Sequence, residues 1–161
     1  MDTNQQREIL RRIPILHGFS DDQIEKVLSA CSDQNFAEGA SIFQENDESV
    51  GVYILISGMV QVQTPTGGEI ATIGEQGVVG EMGALTGQPR AASVVALQES
   101  RTLVIGKQEL FALMDADPDM GYKIYQNVTH ILADRLRDNN ILLEQQYLVL
   151  DDLVGGGRAG A

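Results

Sequence analysis

The sequence predicts an α+β fold: a small antiparallel β-sandwich or barrel, preceded by N-terminal helices and followed by a long C-terminal helix. Three observations predict it. Residues 33–106 are short apolar runs broken by frequent glycines, several with the period-two alternation of half-buried strands. The residues before this zone carry apolar side chains at helical spacing. From Pro118 to about Leu150 no further proline occurs, and only Gly121 interrupts, close to the start. The expected division is N-terminal helices over 1–32, the β zone over 33–106, C-terminal helices over 107–150 and a flexible tail over 151–161.

Each element has a local reason. Ile9, Leu10 and Ile13 share one helical face, and Pro14 ends that segment. Ser20 is a good N-cap, with Asp21 and Asp22 in the first turn. Ile24, Val27, Leu28 and Cys31 then recur at 0, 3, 4 and 7, which predicts a helix with Cys31 facing the core as a small hydrophobe. Val52, Ile54 and Ile56 alternate with their neighbours, and Val60–Gln63 alternates cleanly. Thr64-Pro65-Thr66-Gly67-Gly68 is turn chemistry and predicts a hairpin into Glu69–Ile73. Ser93–Ala96 and Thr102–Ile105 supply later strands. Leu110, Phe111 and Met114 form a short helical face, and Asp117-Pro118 reads as an N-cap with proline at the first helical position. A helix from there to Leu150 spans about 50 Å, more than one small domain needs.

Composition excludes several function classes. The 161 residues carry 11 Lys and Arg against 23 Asp and Glu, for a net charge of −12. Nucleic acids and anionic membrane surfaces both require clustered cations, so neither is an expected partner. A single cysteine excludes an internal disulfide and a multi-cysteine metal centre. No apolar run approaches the roughly 18–20 residues that span a bilayer. The polar start, MDTNQQREILRR, lacks the apolar stretch of a secretory signal. These features lead to the expectation of a cytoplasmic protein.

The distribution of cations says more than their sum. Residues 27–89 contain no Lys or Arg, and Arg90 closes the gap. The plain reading of Arg90 is a surface arginine paired with a carboxylate. Its neighbourhood supports a second reading. Residues 77–93, GVVGEMGALTGQPRAAS, are rich in small side chains that let a ligand approach the backbone. A helical turn over Glu81–Leu85 would offer free N–H groups to an anion. Arg90 offers a bidentate fork to phosphate oxygens. Glu81 would repel a phosphate but accepts well from a ligand hydroxyl, as carboxylates do with ribose. An anion clamp and a hydroxyl acceptor nine positions apart suit a sugar phosphate.

This segment resembles the phosphate-binding cassette of cyclic nucleotide-binding domains. The matching residues are Gly80-Glu81-Met82-Gly83-Ala84-Leu85 and Pro89-Arg90-Ala91-Ala92-Ser93. The spacing between Glu81 and Arg90 is that of protein kinase A regulatory subunits, and the catabolite activator protein carries a similar domain. Phe36-x-x-Gly39-x-x-Ile42-Phe43 resembles the family's opening strands, and Tyr53-Ile54-Leu55-Ile56-Ser57-Gly58-Met59-Val60 its central hairpin. The resemblance implies an antiparallel β-barrel of the double-stranded β-helix, or jelly-roll, type. It implies a ligand held by Gly80, Glu81, Met82, Gly83, Arg90, Ala91 and Ala92. Glu81 would take the ribose 2′-hydroxyl and Arg90 the cyclic phosphate. The amides of Gly83 and Ala91 would complete the cradle, with the Gly80 backbone near the ribose. A threonine directly after the arginine favours cyclic GMP in related domains. Ala91 stands there, so cyclic AMP is the expected ligand over cyclic GMP. No catalytic residue, metal or cofactor is implied.

The family's C-terminal helix closes over the base as a lid. Ile131, Leu132, Arg135 and Leu136 are the candidate lid residues. Ile124, Val128, Ile131, Leu132 and Leu136 form an apolar band that Leu142, Leu143, Tyr147, Leu148 and Leu150 continue on a drifting face. Such a helix outruns one small domain, which predicts a homodimer with Asn139 near the seam. The expected function is a stand-alone regulatory sensor, not an enzyme, that couples nucleotide binding to helix rearrangement and acts on an output protein not named by the sequence. The alternatives are a fragment of a larger cyclic nucleotide-regulated protein and a cupin-like enzyme. A metal-dependent cupin would need several histidines on facing strands, and the two present, His17 and His130, lie outside the β zone.

Overall fold

The computed structural model describes residues 3–155. Helix α1 (Thr3–Arg11) ends before Pro14, which opens a 3-10 turn over Pro14–Leu16. Helix α2 (Asp21–Ala30) begins in a capping box. The Gln23 amide donates to Ser20 Oγ at 3.2 Å, and the Ser20 amide donates to Gln23 Oε1 at 3.0 Å. Cys31 is the first residue of strand β1 (Cys31–Phe36) rather than a helical residue. The helical spacing of Cys31 was real, but β1 pairs with a later strand from Cys31 onward, and that long-range ladder ends the helix.

Among the described residues seven further strands follow: β2 (Ser41–Phe43), β3 (Gly51–Ser57), β4 (Val60–Gln63), β5 (Glu69–Ile73), β6 (Val78–Val79), β7 (Ser93–Ala96) and β8 (Ser100–Gly106). They form two four-stranded antiparallel sheets, ordered β1-β8-β3-β6 and β2-β7-β4-β5. The expected barrel is therefore not closed. Each sheet keeps two edges, since β1 does not pair with β2. The β4–β5 hairpin forms around the Thr64–Gly68 turn, where the Gly68 amide donates to Thr64 Oγ1 at 2.9 Å.

The core between the sheets is Ile42, Tyr53, Leu55, Val60, Val79, Val94 and Val104. The alternation in β3 sends Tyr53 and Leu55 into this core. Val52, Ile54 and Ile56 on the opposite face are also buried. Helix α2 and helix α4 (Lys107–Ala116) pack on each other and on β8, so both faces of this sheet are covered. Arg101 clamps the outer strand, donating from Nε and Nη2 to the two oxygens of Asp33 at 2.7 and 3.0 Å. The arginine holds the Asp33 carboxyl below its ordinary value.

Helix α5 runs from Pro118 to Gly155, so residues 151–155 are helical, in place of the expected tail. The rest of that tail, 156–161, lies outside the described residues. Residues up to Asn127 belong to one compact unit and residues from Val128 to a second. Within the first unit two buried amides tie the helices together. Gln23 Nε2 donates to Asp117 and Asp119 at 3.0 and 2.9 Å, and Gln23 Oε1 accepts from Lys123 Nζ at 3.1 Å. Asn127 Nδ2 donates to the carbonyls of Ile15 and His17, both at 2.9 Å. In the second unit every residue from Leu136 to Gly155 is exposed. Among the described residues no helix is long and apolar enough to cross a membrane.

Candidate functional site

The site is built where β6 leaves the sheet. Gly80 follows at φ +85°, a conformation that suits glycine, and turns the chain into helix α3 (Glu81–Thr86). A Cβ at Gly80 would also collide with Arg90 Nη1. Gly87 ends α3 at φ +74°, its amide donating to the Gly83 carbonyl at 2.9 Å. Six residues later the chain enters β7.

The segment after α3 is strapped down by the loop between β2 and β3. The Asn46 amide donates to the Arg90 carbonyl at 2.9 Å, and the Arg90 amide donates to the Asp47 carbonyl at 2.8 Å. Ser49 Oγ donates to the Gln88 carbonyl at 2.7 Å, and the Glu45 amide donates to Ser93 Oγ at 3.0 Å. Ser49 is buried and fills the space that a side chain at Gly83 would need. Arg90 is thus fixed from its backbone outward.

Arg90 is 3 % exposed, which overturns the surface-arginine reading. Nη1 donates to the Gly80 carbonyl at 2.9 Å and Nη2 to the Gly51 carbonyl at 2.8 Å. The Cζ atom lies 4.1 Å from the centroid of the Phe43 ring and 5.8 Å from that of Tyr53. The Nε atom is buried and has no hydrogen-bond partner among the described residues. Burial lowers the guanidinium's pKa from its ordinary value, opposed by Tyr53, Glu81 and Asp47, and a guanidinium stays charged in any case. A desolvated cation with donor capacity left over is an electrostatic sink for a small anion.

Glu81, the first residue of α3, is 1 % exposed. Gly83 is buried, Gly80 and Ala92 are half-buried, and Met82 and Ala91 are exposed. The structure therefore places Gly80 and the buried Glu81 beside the buried Arg90, with Gly83 against Ser49 and the Gln88 carbonyl. The lid candidates fall in the second unit, where Ile131, Leu132 and Arg135 are half-buried and Leu136 is exposed. Phe43, Asp47, Ser49 and Gly51 complete the surroundings of Arg90 and had no sequence signal as site residues. They stand about forty positions away, and the pairing of β2 with β7 and the fold-back of the β2–β3 loop bring them close. His17 and His130 are exposed. Among the described residues no group of three or more His, Cys, Asp or Glu side chains is placed to hold a metal ion.

Residues 33–117 match the family described as the cyclic nucleotide-binding domain, and the chain belongs to that family. Among its relatives is the cyclic AMP receptor protein of Thermus thermophilus, 28% identical over 135 residues, covering 81% of this chain and 61% of that protein. A cAMP-dependent protein kinase regulatory subunit of Colletotrichum orbiculare is 30% identical over 108 residues, covering 66% of this chain and 28% of that one. The chain thus spans about three fifths of the first and under a third of the second. Among solved structures, a cyclic nucleotide-binding domain from Methylobacillus flagellatus superposes with a TM-score of 0.75 at 25% identity, covering 88% of this chain and 83% of that one.

Proposed function

We propose that this chain is a cytoplasmic regulatory sensor that binds cyclic AMP in preference to cyclic GMP. The observation that carries the reading is the Arg90 guanidinium, buried, still charged and with Nε unmet, beside the buried Glu81. Arg90 binds the cyclic phosphate and Glu81 accepts from the ribose 2′-hydroxyl. The backbone of Gly80, Gly83 and Ala91 lines the ligand, with Met82 and Ala92 beside it. The methyl of Ala91 offers no hydroxyl to guanine, and the two relatives above are named for cyclic AMP. Ligand binding then favours the state in which a lid residue among Ile131, Leu132, Arg135 and Leu136 closes over the base. The shift is limited to the ligand's differential affinity for the two states. The output protein is a partner for this switch.

Helix α5 also serves a homodimer. Leu136, Leu143 and Leu150 recur at heptad spacing and are 62, 52 and 56 % exposed. A second copy would cover them, and sedimentation of the purified chain reads the outcome.

Calorimetric titration of nucleotide-free protein with cyclic AMP and cyclic GMP tests the central reading. Saturable binding with cyclic AMP the tighter ligand is expected, and binding of neither would end it. Glu81→Ala should bind cyclic AMP and its 2′-deoxy analogue about equally, and retained discrimination would assign Glu81 another role. Hydrogen exchange over residues 77–93 and 130–150 should slow on ligand addition if the helix is coupled.

A further inference from the structure

The arginine that the proposed function assigns to phosphate lies on an aromatic face. Phe43, the last residue of β2, is half-buried at the rim of the inter-sheet core. Arg90 Cζ lies over its ring, 4.1 Å from the centroid, inside the roughly 6 Å reach of a cation–π attraction. The Phe43 ring in turn leans on Tyr53, centroid to centroid 5.7 Å with a 49° tilt. Two carbonyls, of Gly80 and Gly51, hold Nη1 and Nη2. A leucine at position 43 would present no negative ring face to the guanidinium of Arg90, a residue that is 3 % exposed.

We propose that Phe43 is a positioning residue for the anion site: its ring is the floor that holds the Arg90 guanidinium in the orientation the ligand meets. The inference rests on Arg90 being the phosphate ligand. The two carbonyls fix the guanidinium at its Nη atoms, and the ring fixes it from one face. Weakening the ring's electrostatics lets the unliganded arginine populate other orientations, and the ligand must then reorder it. Affinity falls by that population.

The test replaces Phe43 with 4-fluoro-, 3,5-difluoro- and 3,4,5-trifluorophenylalanine. Fluorine drains the ring face of negative charge while barely changing its size. The expected result is a stepwise loss of cyclic AMP affinity, about 5-fold across the series, following the strength of a cation–π contact. The same series at Phe36, whose ring packs on Tyr53 at 6.2 Å, should leave affinity flat. A flat series at Phe43, equal slopes at both positions, or tighter binding with fluorination would each overturn the proposal. Wild-type protein that fails to bind cyclic AMP, or an Arg90→Ala variant that binds like wild type, would instead defeat the underlying functional reading.

Discussion

Arg90→Ala separates the ligand-binding role of the arginine from its structural one. In the unliganded protein the substitution has two opposed effects. It strips the Gly80 and Gly51 carbonyls of partners at 2.9 and 2.8 Å, which costs about 1–3 kcal/mol each if they stay buried. It also removes a cation that is 3 % exposed, and relief of that desolvation returns several kcal/mol. With the lost Phe43 ring contact added to the cost side, these terms still offset one another in part, so the thermal midpoint of unliganded protein should move by no more than about 8 °C, the scale of a 2 kcal/mol change in a chain of this size. The ligand has no such cancellation. Its phosphate would enter a site without its counter-charge, losing about 2–5 kcal/mol, or about 30-fold to a few thousand-fold in affinity. Arg90→Lys should fall between, since it restores the charge without the planar fork. Isothermal calorimetry on both variants, with melting curves of the same samples, reads the two effects separately. Equal cyclic AMP affinity in wild type and Arg90→Ala would refute the reasoning outright.

Three further outcomes follow from the packing. Gly83→Ala would drive a methyl into Ser49 Oγ and to 2.9 Å from the Gln88 carbonyl oxygen. It should destabilise the protein by about 1–3 kcal/mol in urea, and Ser49→Gly should recover part of that loss, since Gln88 remains in the way. Asn127→Ala leaves the Ile15 and His17 carbonyls without their shared donor and should lower unfolding free energy by about 1–3 kcal/mol. The Asp33 carboxyl is lowered chiefly by its hydrogen bond to Arg101, so its contribution is present above the unfolded carboxyl value and lost as pH falls through the folded one. Melting temperature should therefore decline below about pH 4, and Asp33→Asn should make that decline shallower. An unchanged slope would assign the acid sensitivity to other carboxyls.

Local signals carried much of the fold. The Ser20 capping box, the Thr64–Gly68 hairpin turn and the Asp117-Pro118 helix start are short-range chemistry, and each appears where the residues indicate. Boundaries set by distant partners were not legible. Cys31 fits a helical face, yet it joins β1 because Ile105 pairs with it. Sheet closure was equally hidden, because an alternating pattern states which face is buried but not whether β1 meets β2.

The same division runs through the site. The run from Gly80 to Ala92, with one cation after a long stretch without any, made the segment and its charge visible in the sequence. Chain order could not show that Arg90 is buried rather than exposed, nor that Phe43 lies under it, Ser49 braces Gln88, and Gly51 accepts from Nη2. These partners stand 39 to 47 positions from the residues they hold. They meet because β2 pairs with β7 and the β2–β3 loop folds back on the segment before β7. Sequence determined which groups are available for an anion; tertiary structure alone decided their desolvation and orientation, since both depend on what packs against them from elsewhere in the chain.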